Sequence, residues 1–542
     1  MHASTLFDAS ATADVILRSS DSVDFFVIKL LLCLVSPKLT DIFSSNHTII
    51  SEHGLPIVTV TEDSRTLRCV LLFIYPACVT GCEPSLDIDD LCPVAKAIQK
   101  YSMDCIEERI QEGLITSQLL QKHAFRIYAL AVHLGWTRIA ARAAQNTLDT
   151  PLSDLPFVDE LHMISGADFY QYLSYRFRCK EYENEDEEVE LAFVSQGPVA
   201  NEQHSTMAVA GVPAAFRPNA KVDAVLRSSD GIDFYIKKSF LSHLSAVFEE
   251  LFANSDSGSL NNQRSNSLVF TEEEDSGAML NIQKSDPPVF TIKVNNGIGE
   301  DNDAEENNDA TLNNQEGDLP VFTVEEDSVT LSVLLCLLHP YAGEPSISDL
   351  KLFPKVWAAA QRYQVTFISQ RLEQSFIAFP SFLKEPLRSF AIGVSLGWTK
   401  AINACAMETL IKPLSKMEYA DEVRMITGAD LYRLVEYRFK CANNVGLLLD
   451  TMGRSESTEA CSCCSCSKYF ALVKSMLLDC PRGINMMSWN ADSDLVGAAR
   501  IYLEDGYKIY HLLRKRLTLF ESIDGIISKV CLFTLSDNAS AK

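Results

Sequence analysis

Hydrophobic and polar positions alternate in two ways along this chain. Ala13, Val15 and Leu17 occupy every second position, Phe25 and Val27 repeat that period, and a polar Ser-Asp step lies between the two runs. A period of two places side chains on one face of a strand, so two such runs about a polar turn predict a β-hairpin. KLLLCLVSPKLTDIF from Lys29 changes to helical spacing, and the Ser36-Pro37 step predicts two short helices. Leu55 to Val60 is apolar and half β-branched, which predicts a third, largely buried strand. Leu67, Val70, Leu71 and Ile74 then fall at i, i+3, i+4 and i+7, the buried face of a helix that Asp63 or Ser64 can cap and Pro76 must end. Further helices are predicted through Leu91, Ala95 and Ile98, and through Ile127, Leu130, Ala131 and Leu134, the second closed by Gly135 as a left-handed cap.

This order recurs. ADVILRSSDSVDFF from Ala13 is matched by VDAVLRSSDGIDFY from Val222, and LPIVTVTEDSRTLRCVLLFIYP from Leu55 by LPVFTVEEDSVTLSVLLCLLHP from Leu319. DELHMISGADFYQYLSYRFRC from Asp159 is matched by DEVRMITGADLYRLVEYRFKC from Asp421, and the Leu-Gly-Trp at Leu134 returns at Leu396. The helical face is kept at Leu331, Leu334, Leu335 and Leu338, with Pro340 as its stop. A duplication on this scale predicts two modules, each with its own core. The step between the copies is 209 residues from Asp14 to Asp223 but 262 from Tyr101 to Tyr363, so the second copy carries an insertion.

The insertion is placed at 254–318, with related tetrapeptides at Leu260, Leu280 and Leu312 and the run GEDNDAEENND from Gly299. Its composition lacks the apolar surface needed to offset chain entropy, so it reads as a disordered acidic loop. The resulting organisation is a first module over 10–110, a helical extension over 111–180 and an acidic linker over 181–219. A second module follows over 220–370, then a helical extension over 371–441 and a Cys-containing helical region over 442–542. The fold class is α+β: a small sheet with surrounding helices, twice.

Charge narrows the function. A formal net charge of -25 repels polyphosphate, so direct nucleic-acid binding is disfavoured. Arg514-Lys515-Arg516 reads as a solvated helix face. No basic stretch followed by a long apolar run opens the chain, and Leu30 to Val35 is too short for a bilayer, so no membrane partner is expected. The 16 cysteines, among them Cys69, Cys105, Cys336 and Cys405 in apolar helical patterns, read as buried thiols of a cytoplasmic or nuclear protein.

Taken in order, several motifs resemble the BTB/POZ family, specifically a fungal branch with a helical extension and a Cys-containing tail. They are Asp14-Val15 with LRSSD, Lys29, Ser36-Pro37, Ile74-Tyr75-Pro76 and Ala97-x-x-x-Tyr101, answered by Asp223, Lys238, Ser245, Pro340 and Ala359-x-x-x-Tyr363. The resemblance implies a non-enzymatic α/β module that pairs through a mostly helical surface and recruits other proteins, a cullin-type ubiquitin ligase being one candidate. Asp14, Lys29, Asp223 and Lys238 are the interaction residues it points to, either as partner contacts or as groups that orient the hairpin on the helix. Ile28 and Lys237 stand where the family commonly has His.

Chemistry beyond this is sparse. Cys461, Cys463, Cys464 and Cys466, with Cys441, Cys480 and Cys531 as possible companions, offer thiolates for zinc, but the second separated pair of a structural site is missing. No cofactor or metal is therefore assigned. No phosphate loop, dinucleotide fingerprint or zincin motif is present, and His133 is replaced by Ser395 in the second copy, so neither suggests catalysis. Trp136 and Trp398 follow helix-closing glycines and are expected in the core, while Leu495 to Leu535 reads as a long amphipathic helix. A flexible coil from Cys179 to Asp223 would span about 35–40 Å, enough for the two copies to form an intramolecular pseudo-dimer; homo-oligomers are the other option. The expected function is an interaction scaffold or adaptor; the alternatives are a nuclear, transcription-linked regulator working through partners or a zinc-binding protein.

Overall fold

A computed structural model describes residues 6–9, 11–44, 49–50, 54–76, 86–182, 212–218, 222–256, 319–339, 342–343, 345, 347–455, 474–475, 477–482 and 520–530. They fall into two units: 1–197 with 424–439, and 198–423 with 440–542.

In the first unit the expected hairpin forms from β1 (Val15–Arg18) and β2 (Asp24–Val27), antiparallel, with Val15 opposite Val27 and Arg18 opposite Asp24. The chain then crosses over through α1 (Lys29–Val35) and α2 (Pro37–Ser44), a connection that a parallel pairing requires. β3 (Ile49–Ile50) and β4 (Pro56–Thr59) complete a sheet ordered β2-β1-β4-β3, in which β4 runs parallel to β1. The alternation of β1 implied one buried face; instead Val15, Ile16 and Leu17 are all buried. Ile16 packs with Phe26 and Ile57 beneath Ala11, Ala13 and Leu55, so the chain leading into the hairpin covers the second face. Phe7 belongs to that cover: its carbonyl accepts the Phe26 N–H at 2.9 Å, and its buried ring lies edge-on to Tyr75 at 5.2 Å.

The other long elements among the described residues of this unit are helices. α3 (Ser64–Ile74) is capped by Asp63, whose carboxylate accepts the Thr66 N–H at 2.7 Å, and it buries Leu67, Val70, Leu71 and Ile74. There follow α4 (Ile88–Lys100), α5 (Asp104–Thr116), α6 (Gln118–Lys122), α7 (Ala124–Leu134), α8 (Thr137–Asn146) and α9 (Gly166–Tyr182). Gly135 closes α7 at φ +77°, a left-handed geometry that glycine adopts without a Cβ penalty.

The second unit repeats the order. β5 (Ala224–Arg227) and β6 (Asp233–Ile236) pair antiparallel with the same four-residue register, followed by α10 (Lys238–Leu244) and α11 (Ala246–Asp256). β7 (Val321–Thr323) lies parallel to β5, giving the order β6-β5-β7. α12 (Ser328–Leu338) has the same Asp cap, from Asp327 to the Thr330 N–H at 2.7 Å. α13 (Leu352–Arg362), α14 (Ser369–Ile377), α15 (Pro386–Leu396) and α16 (Thr399–Thr409) follow, with Gly397 at φ +70° where Gly135 stood. α17 (Gly428–Ser455) begins at the duplicated Ile-Thr-Gly-Ala-Asp.

Two expectations change in detail. Cys336 and Cys405 are buried, but Cys69 is only partly so and Cys105 is exposed, because α5 turns Ile106, Ile110 and Leu114 inward and its Cys105 side outward. Both tryptophans are buried, yet differently satisfied: Trp136 Nε1 donates to Glu107 at 2.5 Å, whereas Trp398 Nε1 has no partner among the described residues. Residues 257–318 and the stretch 183–211 lie outside the described residues, and Phe216, near the end of the expected linker, is buried.

Candidate interaction surface

Each unit fixes its first helix with the same small set of polar contacts. Asp21, at the turn of β1–β2, accepts the Ser64 N–H at 2.9 Å and its hydroxyl at 2.6 Å; Asp230 does the same for Ser328 at 2.9 and 2.6 Å. Hydrogen bonds from Ser19 and Ser64 hold the Asp21 carboxyl below the ordinary carboxylate range, since they favour the charged form. Ser36 Oγ accepts the Leu39 N–H at 3.0 Å and donates to the Tyr101 carbonyl at 2.6 Å, locking the α1–α2 corner onto the end of α4. Ser245 repeats this with the Phe248 N–H and the Tyr363 carbonyl. Glu62 accepts from Lys100 at 2.7 Å and from the Tyr101 hydroxyl at 2.6 Å; burial alone would raise its pKa, but these two donors outweigh it and leave the carboxyl low. Glu326 receives Tyr363 and Arg362 in the same way.

The four residues expected to mark an interaction site belong to this frame. The Asp14 carboxylate accepts the Lys29 backbone N–H at 2.6 Å, and Asp223 accepts that of Lys238, also at 2.6 Å. These carboxylates satisfy an otherwise unpaired donor in the first turn of α1 and of α10, where a negative charge also suits the helix dipole. The Lys29 ammonium lies 5.5 Å from the centre of the Phe43 ring and that of Lys238 lies 5.4 Å from Phe322. Ile28 donates its N–H to the Tyr75 hydroxyl at 2.8 Å.

The frame holds up two unlike faces. On α1, Leu32 is buried at 1 % exposure while Leu30 and Leu34 stand out at 64 % and 72 %. Spaced i, i+4, they share one side of the helix. On α10 the buried anchor is Leu241, and the positions 209 residues on from Leu30 and Leu34 hold the exposed Ser239 and His243. In sequence KLLLCLV is a single helical pattern that does not set these two leucines apart. A signal existed: its counterpart KSFLSHL folds into the same helix without them, so the fold does not require apolar residues there.

Other candidates contribute less. A cavity of about 310 Å³ beside α4 and α7 is lined by Asp89, Cys92, Lys96, Arg126 and Glu160. Arg126 is engaged there by Asp89 at 2.9 Å and Glu160 at 2.6 Å, and burial pushes the Cys92 thiol up, away from the reactive thiolate. His133 is exposed, its Nδ1 3.0 Å from the Met163 carbonyl oxygen. Among the described residues no group of three or more His, Cys, Asp or Glu could hold a metal ion, and no helix is long and apolar enough to cross a membrane. Cys461, Cys463, Cys464, Cys466, Cys531 and Arg514-Lys515-Arg516 lie outside the described residues, as does most of the expected 495–535 helix.

Comparison with known families agrees with this geometry for the first unit. Residues 4–118 match the BTB/POZ domain, a span that runs from just before Phe7 to the start of α6 and contains the Asp21–Ser64 latch, the Ser36–Tyr101 latch and the Leu30–Leu34 face. Domains of this kind are typically modules for protein–protein interaction and oligomerisation rather than enzymes. No curated protein matches the chain.

Proposed function

We propose that this chain is a protein-interaction adaptor of the fungal BTB/POZ type, whose domain at 4–118 pairs with the same domain of a second chain through the outward side of α1. Residues 220–370 form in this reading a second, diverged module of the same kind, whose α10 face has been given up as a pairing surface. The observation that carries the proposal is the exposed Leu30–Leu34 pair on a helix held rigidly by Asp14, Ser36 and Tyr75. Asp14 and Asp223 act as positioning groups that set the start of α1 and α10; the Lys29 and Lys238 side chains stiffen the same corner.

Burying one leucine is worth about 1.5–3 kcal/mol, so four from two chains supply about 6–12 kcal/mol. Association itself costs about 4–15 kcal/mol, which makes the pair sensitive to each of them. A pseudo-dimer joining α1 to α10 within one chain would set Leu30 and Leu34 against Ser239 and His243 and leave polar groups desolvated without partners. Pairing between chains avoids that cost. Light scattering of the full chain tests this: wild type has the mass of a dimer and Leu30→Asp/Leu34→Asp that of a monomer. A wild-type monomer at tens of micromolar would remove the reading. Recruitment to a cullin-type ligase is the proposed use of the paired module, checked by pull-down with a cullin N-terminal region.

A further inference from the structure

The first unit contains a strip, 424–439, drawn from the far end of the sequence. The strip meets its own counterpart there. Ser165 and Thr427 form an antiparallel bridge, in which the Gly166 N–H donates to the Ile426 carbonyl at 2.7 Å and the Gly428 N–H donates to the Ile164 carbonyl at 2.8 Å. The two bonds are reciprocal: exchanging Ile164-Ser165-Gly166 with Ile426-Thr427-Gly428 maps the contact onto itself, the property of a two-fold interface.

The local chemistry of the two segments is likewise the same. Asp168 accepts from the Ser165 N–H at 3.0 Å and its hydroxyl at 2.7 Å, while Ser165 Oγ accepts the Asp168 N–H at 3.2 Å. Asp430 and Thr427 repeat all three contacts, at 3.1, 2.8 and 3.2 Å. Each box fixes the start of its helix, α9 or α17, and so aims the preceding carbonyl and the following N–H at the other segment. Fit is tight: a Cβ on Gly428 would come within 2.7 Å of Ile164 Cγ1 and 3.0 Å of the Leu161 carbonyl oxygen. Around the bridge, the buried Tyr432 donates to the Leu155 carbonyl at 2.5 Å, and its ring packs among Phe125, Phe157 and Phe169 at 5.6–6.2 Å.

From this we infer that Ile-[Ser/Thr]-Gly-Ala-Asp is a self-complementary docking element, which takes a second copy of itself as its partner and finds that copy within the same chain. The inference is independent of the α1 pairing, since it uses neither Leu30 nor Leu34. It assigns the two surfaces different tasks: the clasp builds a strip of the second repeat into the first unit, and the leucine face stays available to another chain.

The test uses the full chain. In a bridge of this kind Ser165 and Thr427 are a non-hydrogen-bonded pair, whose Cα atoms lie about 4.5 Å apart, at the short end of the disulfide range. Ser165→Cys/Thr427→Cys treated with a mild oxidant is expected to give linked peptides carrying positions 165 and 427, with the denatured chain still running as a monomer. No link, or a link joining two chains, overturns the inference. Because the double variant removes two helix caps, hydrogen exchange supplies a second measurement. Gly428→Ala is expected to speed exchange at least tenfold in the peptide spanning 161–170 and to leave the β1–β2 hairpin unchanged, and adding Ile164→Ala recovers part of the protection. Unchanged exchange at 161–170, or equal loss in the hairpin, goes against the clasp. Leu30→Asp/Leu34→Asp leaves the link intact, so the two readings fail separately.

Discussion

α1 and α10 follow the same hairpin beside sheets that share three strands in the same order, β2-β1-β4 and β6-β5-β7, with β3 added in the first; they are held by the same aspartate and serine contacts and present opposite chemistry to solvent. Leu30 and Leu34 face out on one, Ser239 and His243 on the other. What both keep is what folding needs: the buried Leu32 or Leu241, the Arg18–Asp24 or Arg227–Asp233 pair across the hairpin, and the latch from the hairpin turn to α3 or α12. What differs lies exposed on the described surface, where a change of side chain leaves the buried anchor and the latch intact and can follow a partner.

The comparison breaks first in the core. Leu71 and Leu335, both buried, are expected to be interchangeable: Leu71→Ala and Leu335→Ala should each cost about 2–5 kcal/mol in chemical denaturation, each in the transition of its own unit. A small loss at Leu335 alone would mean that the second unit relies on its core less. Next come the faces. Leu30→Asp/Leu34→Asp should weaken self-association by about two orders of magnitude or more with little change in melting temperature, the mark of an interface rather than a core. The converse, Ser239→Leu/His243→Leu, should add higher oligomers, read by light scattering, if the second frame can carry a pairing face once its chemistry is restored.

A smaller effect separates the tryptophans. Trp136→Phe leaves the part-buried Glu107 short of a donor and should cost about 1–2 kcal/mol beyond packing, whereas Trp398→Phe removes an N–H that has no partner among the described residues and should cost less. Thermal melts of the two variants make the comparison. The smallest is a pH effect. Glu62 titrates below its ordinary value in the folded chain, so its contribution is complete above the usual carboxylate range of about 4 and is lost as pH falls through the lower folded value. Glu62→Gln should therefore lower the melting temperature at pH 7, and the gap to wild type should close below about pH 4.

Much of this was readable before any coordinates. The β1–β2 hairpin, the helix break at Ser36, the Asp63 cap and the Gly135 stop follow from period, capping chemistry and the one residue type that tolerates a positive φ, all of which are local. The duplication was legible because those local signals recur in order. Its outward faces were legible only in part, since Leu30 and Leu34 fit a helical pattern as well as Leu32 does, and spacing within seven residues cannot say which side is covered.

The sequence by itself determined the hairpin, the two crossover helices, the strand after them, the Asp63-capped helix and that this set occurs twice, because propensity, capping and turn geometry act over a few neighbouring residues. Only the tertiary structure decided that Ile16 is buried as well as its neighbours, that Tyr101 closes on Glu62, and that Gly166 meets Ile426. Those contacts join residues tens to hundreds of positions apart, and burial is a property of what the rest of the chain places overhead.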